Sequence, residues 1–225
     1  MQITWYGQAS FGIEHEKILV VTDPYDPDKS GFKPFPKKAD IVIKSSSNDD
    51  FHDNDHLVPK KNNSKVIDAL LLAQTSKTTS SHGLIFKAIE AMENLDHDSH
   101  NPNQNAMYRF NLNDIEIGHM GDMGNNFSEE QIKFFEGIDI LLSHAGGFPV
   151  ISLEELNRIV DLVNPKLVIP MHFRTLCFKP QKMHFINSFI ESFGNHRIEF
   201  ACSSSIKLNT SDLPNQTKAI VLDYL

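Results

Sequence analysis

Short runs in which apolar residues alternate with polar ones or cluster together dominate the first half of the chain, at residues 3–6, 10–14, 17–21, 41–43, 84–92 and 106–112. Runs of this length, separated by Gly, Pro, Asn and Asp, predict strands joined as hairpins and meanders. Asn113-Asp114 lies between two such runs and predicts a tight turn. The polar stretches 49–63 and 95–105 have no period and predict loops.

The second half changes rhythm. Ser128-Glu129-Glu130-Gln131 is a capping box ahead of Ile132, Phe134 and Phe135, with Gly137 placed to close the helix. Ser152-Leu153-Glu154-Glu155 is another, followed by the apolar stripe Leu153, Leu156, Ile159, Val160 and Val163 before Pro165. A third helix is predicted over 182–193, ending before Gly194. Strand-like runs follow each helix, at 138–142, 167–170 and 197–201. Strand-rich sequence passing into alternating helix and strand predicts an α/β architecture of sheets covered by helices. A chain of 225 residues without a long linker is expected to form one domain, 1–225.

Composition narrows the function classes. A net charge of −8, from 29 acidic against 21 basic residues, argues against nucleic acid or an anionic membrane as partner and leaves a small-molecule substrate. With no signal-like leader and no apolar run near the roughly 18 residues that span a bilayer, the expected location is cytoplasmic. Two cysteines, Cys177 and Cys202, rule out a thiolate-rich metal site, so any metal must use His and carboxylate.

Two pieces of sequence suggest such chemistry. Gly118-His119-Met120-Gly121-Asp122 and Ile169-Pro170-Met171-His172 each end an apolar, strand-like run, where a rigid sheet can present a ligand. Taken alone, Asp122 could simply cap a turn and His172 could be a hydrogen-bonded core residue. Their similar context favours a shared site. His144, in Ser143-His144-Ala145-Gly146-Gly147, sits where glycines admit close approach and is a candidate substrate-binding or auxiliary metal histidine or, equally, a turn residue.

These motifs, together with Met1-Gln2-Ile3-Thr4-Trp5-Tyr6-Gly7-Gln8-Ala9-Ser10-Phe11 and Val21-Thr22-Asp23-Pro24-Tyr25, resemble the metallo-β-lactamase-fold hydrolases, nearest to the branch containing ascorbate-phosphate lactonase-like proteins. The resemblance runs through nearly the whole chain and implies a four-layer αββα sandwich with its site along one edge of two packed sheets. It also implies two metals, commonly zinc, held by a His-x-His-x-Asp-His stretch, a later His, a bridging Asp and a final His. Water activated by the metal then attacks an ester, lactone, amide or phosphodiester.

Carried over by position, the resemblance makes Asp122 the bridging carboxylate and His172 the final imidazole. Asp23 becomes a supporting carboxylate behind the ligands, with His119 beside it. The histidine stretch is degenerate: Ser46 and Asn48 stand at its first two histidines, Asp50 at its Asp and Phe51 at its last histidine. His52 lies one residue beyond and could replace the lost ligand if the loop shifts, and Gln8 stands where relatives often carry His. For the later histidine His97 matches best, with His82 and His100 as rivals.

The surviving set of Asp50, His52, Asp122 and His172 implies one divalent ion, zinc first and Mn²⁺ or Fe²⁺ as alternatives, with His97 and Asp122 as the remnant of the other site. The expected activity is hydrolysis of a small ester, lactone or phosphoester. The alternative is a non-catalytic binding or regulatory protein that kept the fold and lost the metal, since three missing imidazoles remove much binding free energy. A weaker option places a nucleophile in Ser45-Ser46-Ser47.

Overall fold

The computed structural model describes residues 1–47, 49–93, 105–180 and 182–225. In chain order the strands are β1 (Gln2–Gly7), β2 (Ser10–His15), β3 (Ile18–Thr22), β4 (Ala39–Lys44), β5 (Lys60–Asp68), β6 (Thr78–Ser81), β7 (Leu84–Ala91), β8 (Asn105–Leu112), β9 (Ile115–His119), β10 (Ile140–His144), β11 (Leu167–Met171), β12 (Ile198–Phe200), β13 (Ser205–Lys207) and β14 (Lys218–Val221). The helices are α1 (Pro27–Ser30), α2 (Ala69–Gln74), α3 (Glu129–Phe134), α4 (Leu153–Val163) and α5 (Ile186–Phe193). The strands make two sheets, ordered β13-β1-β2-β3-β4-β5 and β12-β14-β11-β10-β9-β8-β7-β6.

Alternation along the strands explains how the layers stack. In β3 and β4, Val20, Ile41 and Ile43 enter the large core that also holds Ile117, Leu142 and Ile169 of the second sheet. Leu19, Val21 and Val42 point the other way, into a second cluster with Tyr6, Tyr25, Phe32, Phe35 and Phe178. Successive side chains of a strand face opposite sides, so a strand apolar at every position must be covered on both. This is the αββα sandwich.

Both capping boxes form helices. Gln131 N donates to Ser128 Oγ at 3.2 Å and Glu155 N to Ser152 Oγ at 3.1 Å. Leu156, Ile159, Val160 and Val163 bury the inner face of α4, each contributing about 1.5–3 kcal/mol relative to exposure. The helix closes at Asn164 in the left-handed region (φ 51).

Some expectations need correcting. Residues 60–63, read as loop, begin β5, a strand at the edge of its sheet whose Lys and Asn side chains reach solvent. The third helix starts at Ile186 rather than 182, after Arg174 has paired with Phe185 in an isolated bridge. The short elements α2, β6, β13 and β14 leave little periodicity to read. No helix among the described residues is long and apolar enough to cross a membrane.

A switch from antiparallel to parallel pairing decides where the site lies. β3, β4 and β5 run parallel in the first sheet, as do β9, β10 and β11 in the second. In α/β sheets, ligands gather beyond the carboxyl ends of parallel strands. The segments leaving those ends carry Asp23, Ser45, Asp122, His144 and His172. An Ala106 N to Ser45 O hydrogen bond of 2.9 Å ties the two sheets together at this edge.

Candidate metal centre

Asp23 follows β3 and is fully buried, with four donors on its carboxylate. Oδ1 accepts from Ser45 N and Tyr108 Oη, both at 3.0 Å, and Oδ2 from Ser45 Oγ at 2.6 Å and His52 Nδ1 at 3.0 Å. Burial alone would raise its carboxyl, but His119, His52 and Ser45 together hold it below the usual range. A carboxylate this well satisfied fixes the ring plane and tautomer of His52, leaving Nε2 to face outward.

His52 Nε2 points at Asp122 Oδ2, 3.7 Å away, and His172 Nε2 lies 3.2 Å from Asp122 Oδ1. The two imidazoles stack with centroids 5.4 Å apart. Among the described residues neither His52 Nε2 nor Asp122 Oδ1 has a hydrogen-bond partner, although both are buried, and the 3.2 Å approach of His172 Nε2 to Oδ1 is an ion-pair contact. One donor atom from each of His52, Asp122 and His172 falls within a 4.8 Å span. Ligands about 2.0–2.2 Å from a tetrahedral ion lie roughly 3.3–3.6 Å apart, so two orphaned, converging atoms and a mixed His and carboxylate set fit a divalent ion.

Charge reinforces the grouping. Burial opposes a charged His52, but Asp122, Asp49 and Asp23 outweigh it and push the imidazole up to about 10. Burial likewise opposes ionised Asp122, yet His52 and His172 hold its carboxyl far below the usual range. A bound cation would take over the role that the imidazolium plays for these carboxylates.

The remaining expected residues fall at different places. His119 ends β9 and is committed to backbone: its Nε2 donates to Ala9 O and its Nδ1 accepts from Gly121 N, both at 2.9 Å. It stacks on Tyr108 at 4.6 Å and holds the turn that carries Asp122. Gly121 itself needs a positive φ of 64, and a Cβ there would come 2.3 Å from Ala106 O. His144, at the end of β10, sits edge-on to His172 at 5.0 Å with both ring nitrogens buried and, among the described residues, unpartnered. Burial, then His172, keeps it neutral, well below an ordinary histidine.

Asp50 does not join the cluster. Asp53 N bonds back to Asp49 O at 3.0 Å, and this tight turn puts Asp49 and His52 on the inner side while Asp50 faces out to pair with Lys29. Phe51 packs against Phe178, 5.5 Å away, in place of an imidazole. Ser45 Oγ is spent on Asp23 and Ser46 Oγ leans on Asp49 at 3.4 Å, leaving neither an evident base. His82 turns the β6–β7 hairpin, away from the cluster, with a φ of 52. His97 and His100 lie outside the described residues.

Two carboxylates at the site were missing from the expected set. Asp49 and Glu93 each bring an oxygen within 4.8 Å of Asp122. Glu93 follows β7 and is held in place by its neighbour, Met92, whose N donates to Asn125 Oδ1 at 3.2 Å and whose O accepts from Gly124 N at 2.9 Å. Burial, then Asp122 and Asp49, pushes Glu93 up to about 8, and burial with Asp122 raises Asp49 against the opposing pull of His52. The available signal was an acidic residue directly after the apolar run 84–92, the same strand-end position that drew attention to Asp122.

Two packed mixed sheets, with a His and carboxylate cluster beyond their parallel carboxyl ends, define the metallo-β-lactamase fold. The family model of the beta-lactamase superfamily domain matches residues 2–172, and the chain belongs to that family. It is 27% identical to a UPF0173 protein of Pyrococcus abyssi over 189 residues, 78% of this chain and 84% of the relative. A UPF0173 metal-dependent hydrolase of Nanoarchaeum equitans is 28% identical over 190 residues, covering 78% and 85%. Among solved structures, a candidate Zn-dependent hydrolase of the metallo-β-lactamase superfamily from Thermotoga maritima superposes with a TM-score of 0.76 at 27% identity, over 100% of this chain and 99% of that one.

Proposed function

We propose that this protein is a metal-dependent hydrolase of a small ester, lactone or phosphoester, its ion held by His52, Asp122 and His172. The observation that carries this reading is the convergence of His52 Nε2, locked from behind by Asp23, on the carboxylate of Asp122, whose other oxygen, Oδ1, has no hydrogen-bond partner among the described residues. The names of the Nanoarchaeum and Thermotoga relatives support the same class. Zinc suits two imidazoles and a carboxylate, and manganese or iron would also be accepted.

A divalent ion supplies Lewis acidity, polarising a carbonyl or phosphoryl oxygen and making water more acidic. The chain's own residues supply the rest. Asp23 keeps the Nδ1 proton of His52 in place and so fixes which nitrogen faces the ion. His119 and Gly121 set the turn that aims Asp122. Neutral His144 offers a lone pair beside His172 and can accept a hydrogen bond from substrate or take up a proton at a ring nitrogen.

The test is metal content and hydrolysis measured side by side on the native protein, Asp122→Ala and His172→Ala, using aryl ester, lactone and phosphodiester substrates. About one zinc per chain and turnover that both disappear in the variants support the proposal. Turnover unchanged in both variants would sink it.

One observation favours the non-catalytic alternative. Ser46 and Phe51, at two of the family's imidazole positions, engage Asp49 and Phe178 instead. A native protein that stays folded, binds no zinc, manganese or iron and turns over nothing is the outcome that selects it.

A further inference from the structure

We infer that Gln8, in the turn between β1 and β2, is the positioning residue of His172: with an ion held at Nε2, the Gln8 amide oxygen Oε1 accepts the Nδ1 proton of that imidazole, as Asp23 does for His52. The inference rests on the proposed metal-holding role of His172 and adds the group that orients this ligand.

The backbone already joins the two residues. His172 N donates to Gln8 O at 3.0 Å, and Trp5 Nε1 donates to the same oxygen at 2.9 Å. Trp5 in turn packs its ring against Phe173, the residue after His172, with centroids 4.8 Å apart. Gln8 and His172 both take left-handed backbone, φ 49 and φ 52, which such residues hold only where surrounding contacts require it. The tip of the first hairpin and the end of β11 are therefore fastened together, although they lie far apart in the chain.

The side chains carry opposite, unmet needs. Gln8 is 2% exposed and His172 5% exposed. Among the described residues, Gln8 Oε1 and His172 Nδ1 are both buried without a hydrogen-bond partner. A buried acceptor and a buried donor left apart are each destabilising. His172 Nε2 faces Asp122 Oδ1 at 3.2 Å, so an ion there uses the Nε2 lone pair and leaves the ring's proton on Nδ1. Ligating histidines nearly always give that second proton to an acceptor, which fixes ring plane and tautomer. Gln8 Oε1 is the unengaged acceptor on the residue already bonded to His172.

His144 is the other neighbour with lone pairs to offer. Its ring meets His172 edge-on at 5.0 Å, but among the described residues no hydrogen bond ties it to His172. The two ligand imidazoles thus have unlike supports: Asp23 is a carboxylate, whereas Gln8 offers a neutral amide. A neutral acceptor orients the ring without adding charge, so a carboxylate in its place should strengthen the ligand.

The experiment compares native protein, Gln8→Leu and Gln8→Glu by zinc affinity in chelator competition, metal-free melting temperature and the imidazole ¹H–¹⁵N spectrum of zinc-loaded protein. Gln8→Leu removes the amide at similar volume and is expected to bind zinc about tenfold more weakly, with the His172 Nδ1–H signal broadened or shifted upfield. Its metal-free melting temperature should not fall, because a buried unpartnered acceptor goes with the amide. Gln8→Glu, a stronger acceptor of the same length, should bind zinc at least as tightly as native protein. Should Gln8→Leu fail to fold, Gln8→Asn, which suits left-handed backbone but is one methylene short, takes its place and should show the same loss of zinc affinity. Affinity and the Nδ1–H signal unchanged in the Leu or Asn variant would overturn the inference and leave His172 standing as a ligand. A fall in zinc affinity matched by a fall in metal-free melting temperature, with no rescue by Gln8→Glu, would equally overturn it by assigning Gln8 a purely structural role. Native protein that binds no zinc, manganese or iron would sink the metal-site reading itself, and the inference with it.

Discussion

Asp23 and His52 meet 3.0 Å apart as a buried carboxylate–imidazole pair, Oδ2 to Nδ1, although they leave the ends of different strands. The pair converts a residue just outside the family's histidine stretch into one whose free nitrogen faces Asp122.

Asp23→Asn keeps the shape but removes the charge that orients His52, and an amide cannot accept at both ends. Metal affinity should fall about 10–100-fold. Competition against a chromogenic chelator measures this directly. Affinity equal to the native protein's would show that Asp23 does not hold the ligand.

Tyr108→Phe removes one donor to Asp23 Oδ1 without touching any proposed ligand. A hydrogen bond to a buried carboxylate contributes about 2 kcal/mol. For a chain of this size that is roughly 4–8 °C in melting temperature. Calorimetry on metal-free protein separates this structural loss from any effect on the ion.

Gly121→Ala tests the turn that aims Asp122. The added methyl must adopt φ 64 and come 2.3 Å from Ala106 O, so the turn has to move. A loss of about 2–4 kcal/mol is expected. Zinc content should drop in step, because Asp122 travels with the turn. Retention of both stability and zinc would mean that the backbone here is freer than its contacts indicate.

The pH dependence of α4 docking is set by Glu155, which accepts from Arg158 through two 2.7 Å bonds and from Phe127 N at 3.0 Å. Arg158 is the main cause of a lowered carboxyl pKa, outweighing burial with help from Phe127 N. A carboxyl depressed in the folded state adds stability that is present above its unfolded value of about 4.3 and is lost as pH falls through the folded value. The melting temperature of native protein should therefore exceed that of Glu155→Gln at pH 7, with the gap closing below about pH 4. A gap independent of pH would assign Glu155 a packing role only.

Local pattern was enough for much of the architecture. The capping boxes at Ser128 and Ser152 fixed two helix starts, because the groups that satisfy a helix N-terminus lie within four residues of it. The strand-end positions of Asp122 and His172 were readable because an apolar run followed by a turn marks where a sheet gives out. β5 was not, since an edge strand with polar side chains on its exposed positions carries no hydrophobic signal and is held by hydrogen bonds to β4.

By itself, then, the sequence determined the strands of the two sheets apart from β5, β6, β13 and β14, the helices α3 and α4, and the strand-end positions of Asp122 and His172. Only the tertiary structure decided which residues complete it. Asp49 and His52 face inward and Asp50 outward because one turn closes between Asp53 N and Asp49 O, and a single bond in a loop can reverse which neighbour points where. Glu93 reaches Asp122 because two strands far apart in the chain end at the same edge. Periodicity records which face of an element is buried, whereas a site gathered from loops depends on contacts between distant segments, and those exist only once the sheets have packed.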